Sequence, residues 1–344
     1  MLKYRIRFVA LAVLTAVMLS ACRNTQVPHT SGPVEAVPVA PIETVSSHWI
    51  PTEPDGLILK TPAVLDGKDV KNRYDEFPQD EIAVCNSRYT IPKNLSDAVY
   101  AIMDEYDFDC TFYVIDLGTG MSIGYNPEEL QAVASTVKAG FCFSCMTDIA
   151  QTEHTLEDKM TYRPKHKLSG SGSTQYSTFG TIFTIKALLY RTLYNSDNTA
   201  YLMLMDYFGT DHYNALMAEL GVSHRLNWDE ERWGYMSAHD LGLIWQAIYR
   251  YRDQNEEGAL LWEYLTTNLY NEIHDTLTEY ETVAHKSGWN EEGYHDAGVV
   301  CTENGDYVVV VMTKTGDRNR CLHRVIRALD DIMKDYYQTI ATQR

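Results

Sequence analysis

The order of strand-forming and helix-forming segments is the feature that most limits how this 344-residue chain can fold. Apolar residues at helical spacing follow Asn94, and two strand patterns then flank the turn Gly118-Thr119-Gly120. Three further strand patterns and a closing helix lie in residues 282–337, and the block between, residues 135–269, is mostly helical in pattern. This order predicts an α+β fold, in which one antiparallel sheet takes strands from both ends of the chain.

Two local signals strengthen the prediction of the later elements. Asn304-Gly305 joins strand patterns at residues 297–302 and 307–313, and Asn-Gly between apolar runs is a strong hairpin signal. Residues 308–311 are all valine, which predicts a strand covered on both faces. A helix is expected to begin at the capping-box pattern that opens with Ser237.

The amino terminus has the pattern of an export signal. Basic residues precede a short apolar run at residues 8–19, and small residues then lead to Cys22. The position of Cys22 resembles the acylated cysteine of bacterial lipoproteins, which predicts residues 1–22 as a signal peptide and a lipid anchor at the membrane. An uncleaved membrane anchor is the alternative. Residues 23–90 are predicted to be a stalk and linker, and residues 91–340 a folded domain facing the cell wall or periplasm.

Charge and cysteine content narrow the possible partners. The net charge is −18, so the surface repels nucleic acid. No zinc, nucleotide or flavin fingerprint is evident, and no cofactor or metal is expected. Besides Cys22 there are six cysteines, and which of them pair is left open. Cys142 and Cys145 lie in a predicted buried helix and are expected to be apolar core residues.

Ser135 and Lys138 open the helical block, three residues apart. At that spacing the two side chains lie on one face of a helix with their heads close together. A neighbouring base is what makes a serine hydroxyl a reactive nucleophile. About one such pair arises by chance in a chain of this length, so an exposed pair on an ordinary helix is the alternative.

Two further motifs follow the pair in order. Ser196-Asp197-Asn198 begins 61 residues after Ser135, and Lys286-Ser287-Gly288 begins 90 residues after that. The three elements resemble the signature of the class A β-lactamase and penicillin-binding-protein superfamily, over about residues 91–340. The resemblance implies a five-stranded antiparallel sheet flanked by terminal helices, packed on an inserted all-helical subdomain, with the site between them.

The resemblance implies acyl-transfer roles for the first two motifs. Ser135 would be acylated, and Lys138 would take its proton if burial and a neighbouring cation lower the pKa of the amine. Ser196 would relay a proton toward the leaving nitrogen, and Asn198 would hold the amide side chain of the substrate. Asp197 is expected to anchor the loop by hydrogen bonds. A simple helix cap is the alternative for this motif, and both interpretations can hold together.

The third motif would bind the substrate. Lys286 and Ser287 would bind the carboxylate that β-lactams and D-Ala-D-Ala peptides share, and Gly288 would let the ligand lie along its strand. The backbone N–H groups of Ser135 and Trp289 would form an oxyanion hole. Lys314-Thr315-Gly316 matches the same pattern, but the two expected strands do not follow it, so Lys314 is predicted to be a turn residue.

Deacylation decides which activity follows. Class A β-lactamases activate water with a glutamate on a loop, and Glu230 stands at that position when counted from Arg225-Leu226. The family's downstream Leu-Asn is missing, and the loop is short. The leading hypothesis is a β-lactamase that opens the lactam ring and frees Ser135 with water activated by Glu230. The alternatives are a D,D-carboxypeptidase or penicillin-binding protein acting on peptidoglycan stem peptides, and a binder of cell wall or antibiotic without turnover.

Overall fold

The computed structural model describes residues 77–107, 109–314 and 318–342. The predicted signal peptide, Cys22 and most of the predicted stalk lie outside these residues, as do Thr315 and Gly316. Within the described part of the chain, no helix is both long enough and apolar enough to cross a membrane.

Strands and helices follow the predicted order. The first part of the chain contains β1 (Ala83–Cys85), α1 (Lys93–Glu105), β2 (Cys110–Asp116), β3 (Ser122–Tyr125), β4 (Gln131–Ala132), a 3₁₀ turn (Ala134–Thr136) and α2 (Val137–Gln151). The middle contains β5 (Lys159–Thr161), β6 (Ile182–Thr184), α3 (Ile185–Tyr194), α4 (Asn198–Phe208) and α5 (Asp211–Glu219). The last part contains β7 (Tyr235–Met236), α6 (Ala238–Tyr251), α7 (Glu256–Thr266), α8 (Glu272–Thr276), β8 (Thr282–Trp289), β9 (Tyr294–Cys301), β10 (Tyr307–Thr313) and α9 (Arg318–Thr342).

The main sheet takes strands from both ends of the chain, which confirms the predicted α+β architecture. Its order is β1-β3-β2-β10-β9-β8, and every neighbouring pair is antiparallel. The last strand in the sequence, β10, therefore lies between β2 and β9. This placement joins the amino-terminal strands to the carboxy-terminal ones within a single layer.

Alternate residues of the central strands face two different cores. On β10, Val308 and Val310 belong to the core that includes α2 and α6, whereas Val309 and Val311 belong to the core that includes α1 and α9. All four valines are buried, as the run of apolar residues predicted. The sheet is thus covered by helices on both faces.

The sheet has six strands rather than the predicted five, because residues of the expected linker pack onto the domain. The short strand β1 pairs with β3, with Ala83 opposite Gly124. The ring of Phe77 lies edge-on to Tyr113, with centroids 6.1 Å apart. A three-residue strand has too few positions to show an alternating pattern, so its sequence carried no signal.

Two local predictions match the structure. The Ser237 side chain accepts a hydrogen bond from the Asp240 N–H while the Asp240 carboxylate accepts one from the Ser237 N–H, so the capping box begins α6. Cys142 and Cys145 are fully buried in α2, as expected for apolar core residues.

Candidate active site

Ser135 and Lys138 meet at the start of α2. Ser135 lies in the 3₁₀ turn, and Lys138 lies in the first turn of the α-helix. The Lys138 Nζ donates a hydrogen bond to the Ser135 Oγ at 3.1 Å. Ala134 precedes the serine with φ of +49°, a left-handed conformation that costs energy for a residue with a side chain. The backbone is thus held in an unfavourable turn at the predicted nucleophile.

Lys138 is completely buried and surrounded by hydrogen-bond acceptors. Its Nζ donates to the Ser196 carbonyl at 2.6 Å, to the Ser196 Oγ at 3.2 Å and to the Asn198 Oδ1 at 2.6 Å. Burial holds the pKa of Lys138 well below its usual range, and the charge of Lys286 lowers it further, against the opposing effect of Asp197. The lowered pKa makes it easier to form the neutral amine, which could accept a proton from Ser135.

The Ser196-Asp197-Asn198 segment is fixed by a buried carboxylate. Asp197 accepts hydrogen bonds from the Ala200 N–H at 2.9 Å, which caps α4, and from the Thr174 N–H at 2.8 Å. Gly172 packs so closely against it that an added Cβ would lie 2.2 Å from the Asp197 Cγ. The expected helix cap is therefore confirmed, while the proton-relay and binding roles of this loop stay predictions.

Ser196 and Asn198 are presented toward Lys138 by this fixed loop. Ser196 has φ of +56°, a second non-glycine residue in the left-handed region at the cluster. The Asn198 Nδ2 donates to the Ser169 carbonyl at 3.1 Å, while its Oδ1 accepts from Lys138. One N–H of the Asn198 amide then remains for a ligand.

Strand β8 brings the third motif to the same place. Lys286 is buried, and its Nζ donates to the Ser287 carbonyl at 2.7 Å. Burial lowers the pKa of Lys286 to about 8, although Asp296 opposes the shift. Ser287 is also buried, whereas the Trp289 side chain is 59% exposed at the end of the strand. The binding and oxyanion roles of these residues stay predictions.

The structure requires a glycine at position 288 for a reason other than the expected one, which was room for a ligand along the strand. A Cβ at this position would lie 2.6 Å from the backbone nitrogens of both Ser135 and Thr136. The missing side chain therefore makes room for the turn that carries Ser135, and not only for a ligand along the strand. Gly288 brings β8 into direct contact with the predicted nucleophile.

His295 is a buried residue at this contact that the sequence analysis did not identify. It lies opposite Gly288 on β9. Its Nδ1 accepts the Thr313 N–H at 3.1 Å, so the other nitrogen carries the proton and donates to the Ala132 carbonyl at 2.9 Å. The ring therefore ties the strand just before Ser135 to the sheet. No spacing rule relates His295 to that strand, because tertiary packing alone brings them together.

Glu230 is exposed, and none of the hydrogen bonds of Lys138 described above involves it. It lies in an exposed turn bounded by the bridge between Asn227 and Glu231. Its backbone N–H donates a hydrogen bond to the Asn227 side chain within the same turn. The loop instead directs Trp233 toward the lysine, with the ring centroid 5.7 Å from the Lys138 Nζ. Counting along the sequence does not determine how a short loop folds, so this position could not be predicted reliably.

Lys314 lies apart from the cluster. Its side chain is partly exposed and forms an ion pair with Glu129. Its backbone N–H donates to the Asp109 carbonyl at the end of the sheet. The positions of the two amines therefore agree with the assignment of the third motif to Lys286 instead of Lys314.

Fold and site together define the class. An antiparallel sheet from both chain ends, an inserted helical block and a Ser–Lys pair facing a Ser-Asp-Asn loop and a Lys-Ser-Gly strand are the features of the serine β-lactamase and penicillin-binding-protein superfamily. The chain belongs to the beta-lactamase enzyme family, whose sequence profile matches residues 94–340. No curated protein sequence matches it.

Solved structures share the fold at low sequence identity. A β-lactamase from Sphaerobacter thermophilus DSM 20745 is 24% identical with a TM-score of 0.61, and the match covers 68% of this chain and 95% of that one. PBP-A is 22% identical with a TM-score of 0.63, covering 72% and 100%. A mutant of PBP-A, solved as an acyl-enzyme complex with penicillin G, is 20% identical with a TM-score of 0.62, covering 75% and 100%. At these identities the likeness concerns the fold.

Proposed function

We propose that the protein is a serine acyl-transfer hydrolase of penicillin-binding type. It reacts with β-lactams or with D-Ala-D-Ala peptides at Ser135 and releases the acyl group slowly. The observation that carries this proposal is the fully buried Lys138, whose amine is 3.1 Å from the Ser135 Oγ and has a lowered pKa. An amine in that state can act as the base that a serine nucleophile requires.

Acylation proceeds in one chemical sequence. Lys138 takes the proton from the Ser135 Oγ, which attacks the lactam or peptide carbonyl carbon. The backbone N–H groups of Ser135 and Trp289 stabilise the oxyanion, a contribution of about 3–4 kcal/mol per donor in comparable sites. The carbon–nitrogen bond then breaks, and Ser196, which contacts Lys138, passes the proton to the leaving nitrogen.

Substrate orientation comes from charge and from one amide. Lys286 and Ser287 bind the carboxylate of the substrate, because an ammonium removed from solvent forms strong, charge-assisted hydrogen bonds with an anion. The free N–H of Asn198 donates to the amide side chain of the substrate. These contacts hold the carbonyl carbon against the Ser135 Oγ.

Slow release follows from the loop around residue 230. Hydrolysis of the acyl ester needs a base that activates water, and in this loop Glu230 is exposed to solvent while an indole faces Lys138. A β-lactamase of class A type, with water activated by Glu230, is the second candidate. The family membership and the position of Glu230 in the sequence favour it.

For location, we propose an exported protein held to the membrane by acylation of Cys22. The basic start, the short apolar run and the small residues before Cys22 support this. Radiolabelled palmitate incorporated into the full chain, and lost in Cys22→Ser, is the expected result. Export without label in the full chain would overturn the anchor.

One pair of assays tests the proposed function. The full chain is incubated with a fluorescent penicillin and, separately, with a chromogenic cephalosporin. A stable label with little steady hydrolysis supports penicillin-binding type, and rapid steady hydrolysis supports the β-lactamase. Ser135→Ala should abolish the label, and an unlabelled wild-type chain would overturn acylation in both candidates.

Two lysines offer a matched control. Lys286→Ala should lower the labelling rate by about 10²-fold, because the substrate carboxylate loses its cation. Lys314→Ala, in the similar Lys-Thr-Gly sequence, should label like the wild type. Glu230→Gln separates the two candidates: it lengthens the life of the acyl-enzyme only if Glu230 activates water.

A further inference from the structure

The wall of the site beside Lys138 is aromatic. The ring centroids of Trp233 and Tyr201 lie 5.7 Å and 5.8 Å from the Lys138 Nζ. The two rings pack on each other with centroids 4.7 Å apart. Tyr201 is completely buried, whereas Trp233 is only half-buried. Of the two rings beside Lys138, Trp233 is thus the one that also reaches solvent.

Trp233 is held in this position from both sides. The Trp233 carbonyl accepts a hydrogen bond from the His224 Nε2 at 2.7 Å, and the preceding Arg232 carbonyl accepts one from the Tyr201 hydroxyl at 2.8 Å. Gly234 follows with φ of +79°, and a Cβ there would lie 2.4 Å from the His224 Nε2. These contacts fix the backbone on each side of Trp233. The position of the indole ring beside Lys138 is therefore determined by the fold.

This geometry leaves little access for a hydrolytic water on the loop side. The Lys138 Nζ is already in hydrogen-bond contact with Ser135, Ser196 and Asn198. Its remaining side faces the two rings. The Tyr201 hydroxyl donates to the Arg232 carbonyl and the Trp233 indole N–H is a donor only, so neither side chain supplies a base that could take a proton from water. Deacylation requires a water oxygen to attack the ester carbon, with loss of a proton from water and return of a proton to the Ser135 Oγ as the ester bond breaks.

We propose that Trp233 is a positioning residue that sets the lifetime of the acyl-enzyme, by excluding water from the Lys138 side of the site. This inference rests on the proposed acylation of Ser135. With Trp233 in place the acyl-enzyme is stable, and without it the acyl-enzyme is hydrolysed. The indole acts by occupying space next to the base, and takes no part in bond making.

Rate constants for acylation and deacylation, measured separately on the full chain, test the inference. Fluorescent penicillin reports the labelling rate, and loss of label after removal of free penicillin reports release. Trp233→Ala should speed release by roughly tenfold or more, because water gains access beside Lys138. Trp233→Phe keeps an aromatic ring and should restore slow release to within about threefold of the wild type.

Trp228→Ala is the matched control. Trp228 is a half-buried tryptophan of the same loop, but its ring faces Lys165 and Arg232 instead of Lys138. It should release the label at the wild-type rate. Equal acceleration in Trp228→Ala and Trp233→Ala would assign the effect to loosening of the loop and overturn the inference, as would unchanged release in Trp233→Ala.

The outcomes distinguish this inference from the proposed function. If the wild type takes no label, acylation itself fails. If the wild type is labelled and Trp233→Ala only labels more slowly, with the release rate unchanged, Trp233 has a merely structural role. Acceleration of release in Trp233→Ala that Trp228→Ala does not share is the result that loosening of the loop does not produce, and circular dichroism of each variant verifies its folding.

Discussion

At the scale of single residues, the two buried lysines of the site differ in the protonation state that their surroundings favour. Both Lys138 and Lys286 are almost fully removed from solvent, and burial lowers the pKa of each. Two ammonium groups in one pocket repel each other, so the charge that remains on Lys286 favours the neutral form of Lys138. One lysine is thereby suited to accept a proton and the other to bind an anion.

This division predicts a bell-shaped pH dependence of labelling by penicillin. The rate should rise with pH as Lys138 loses its proton, because only the neutral amine accepts the Ser135 proton. It should fall above about pH 8, where Lys286 loses the charge that is proposed to bind the substrate carboxylate. Labelling rates between about pH 5 and pH 10 measure both limbs.

Lys286→Arg provides the control for the alkaline limb. A guanidinium keeps its charge throughout this range, so the fall above about pH 8 should disappear even if the maximal rate is lower. A wild-type rate that continues to rise through about pH 10 would show that the charge of Lys286 is not required.

At the scale of elements, the contact between β8 and the turn before α2 positions Ser135, the predicted nucleophile. Gly288 lets the backbones approach, and His295 on the neighbouring strand ties the Ala132 carbonyl to the sheet. The turn itself includes Ala134 in a left-handed conformation. Such a conformation persists only when surrounding contacts hold it, and these two residues supply such contacts.

Gly288→Ala should therefore impair acylation far more than stability. A Cβ there overlaps backbone nitrogens that cannot move without displacing Ser135. A displacement of this kind can cost about 10²-fold in rate. The labelling rate with fluorescent penicillin and the thermal midpoint measure the two effects.

Gly118→Ala is the comparison variant for this prediction. A Cβ at Gly118 would meet only an Asp116 oxygen at 3.6 Å, an ordinary contact. It should leave labelling unchanged. Wild-type labelling in Gly288→Ala would show that β8 can retreat without disturbing the serine.

Element order and motif spacing were readable from the sequence because both are local. The pairing of Ser135 with Lys138 needs only one turn of helix, and the Ser237 capping box lies within four residues. Trp233 and His295 gave no such signal, since their neighbours come from distant strands and loops. The location of Glu230 could not be predicted for the same reason, because the number of residues between it and a motif does not determine the path of the loop.

At the scale of the whole molecule, one edge strand of the sheet carries a residue of the candidate site and the other covers the sheet. The edge strand β8 carries Lys286, and four strands separate it from the opposite edge strand β1. β1 covers the outer side of β3, and Phe77 packs beside it on Tyr113. Strand β1 therefore covers an edge of β3 that would otherwise expose unpaired backbone groups.

Deletion of residues 77–90 should lower the stability of the fold and leave the labelling reaction almost unchanged. The thermal midpoint should fall by roughly 5–10 °C, since the strand pairing and the packing of Phe77 are lost. The labelling rate at about 20 °C should stay within about threefold of the intact chain, because β1 and β8 lie at opposite edges. An unchanged midpoint would mean that the segment adds nothing to the fold, and loss of labelling in the folded variant would mean that the two edges are coupled.

The position of β10 has a consequence for biosynthesis. Ser135 and Lys138 leave the ribosome long before residues 307–313, the strand that joins the two halves of the sheet. Until that strand inserts, β8 has no fixed place beside the serine, so a nascent or prematurely ended chain holds Ser135 without the surroundings on which its proposed reactivity depends. The proposed reaction with penicillin should therefore occur only in molecules whose synthesis has run almost to the last helix.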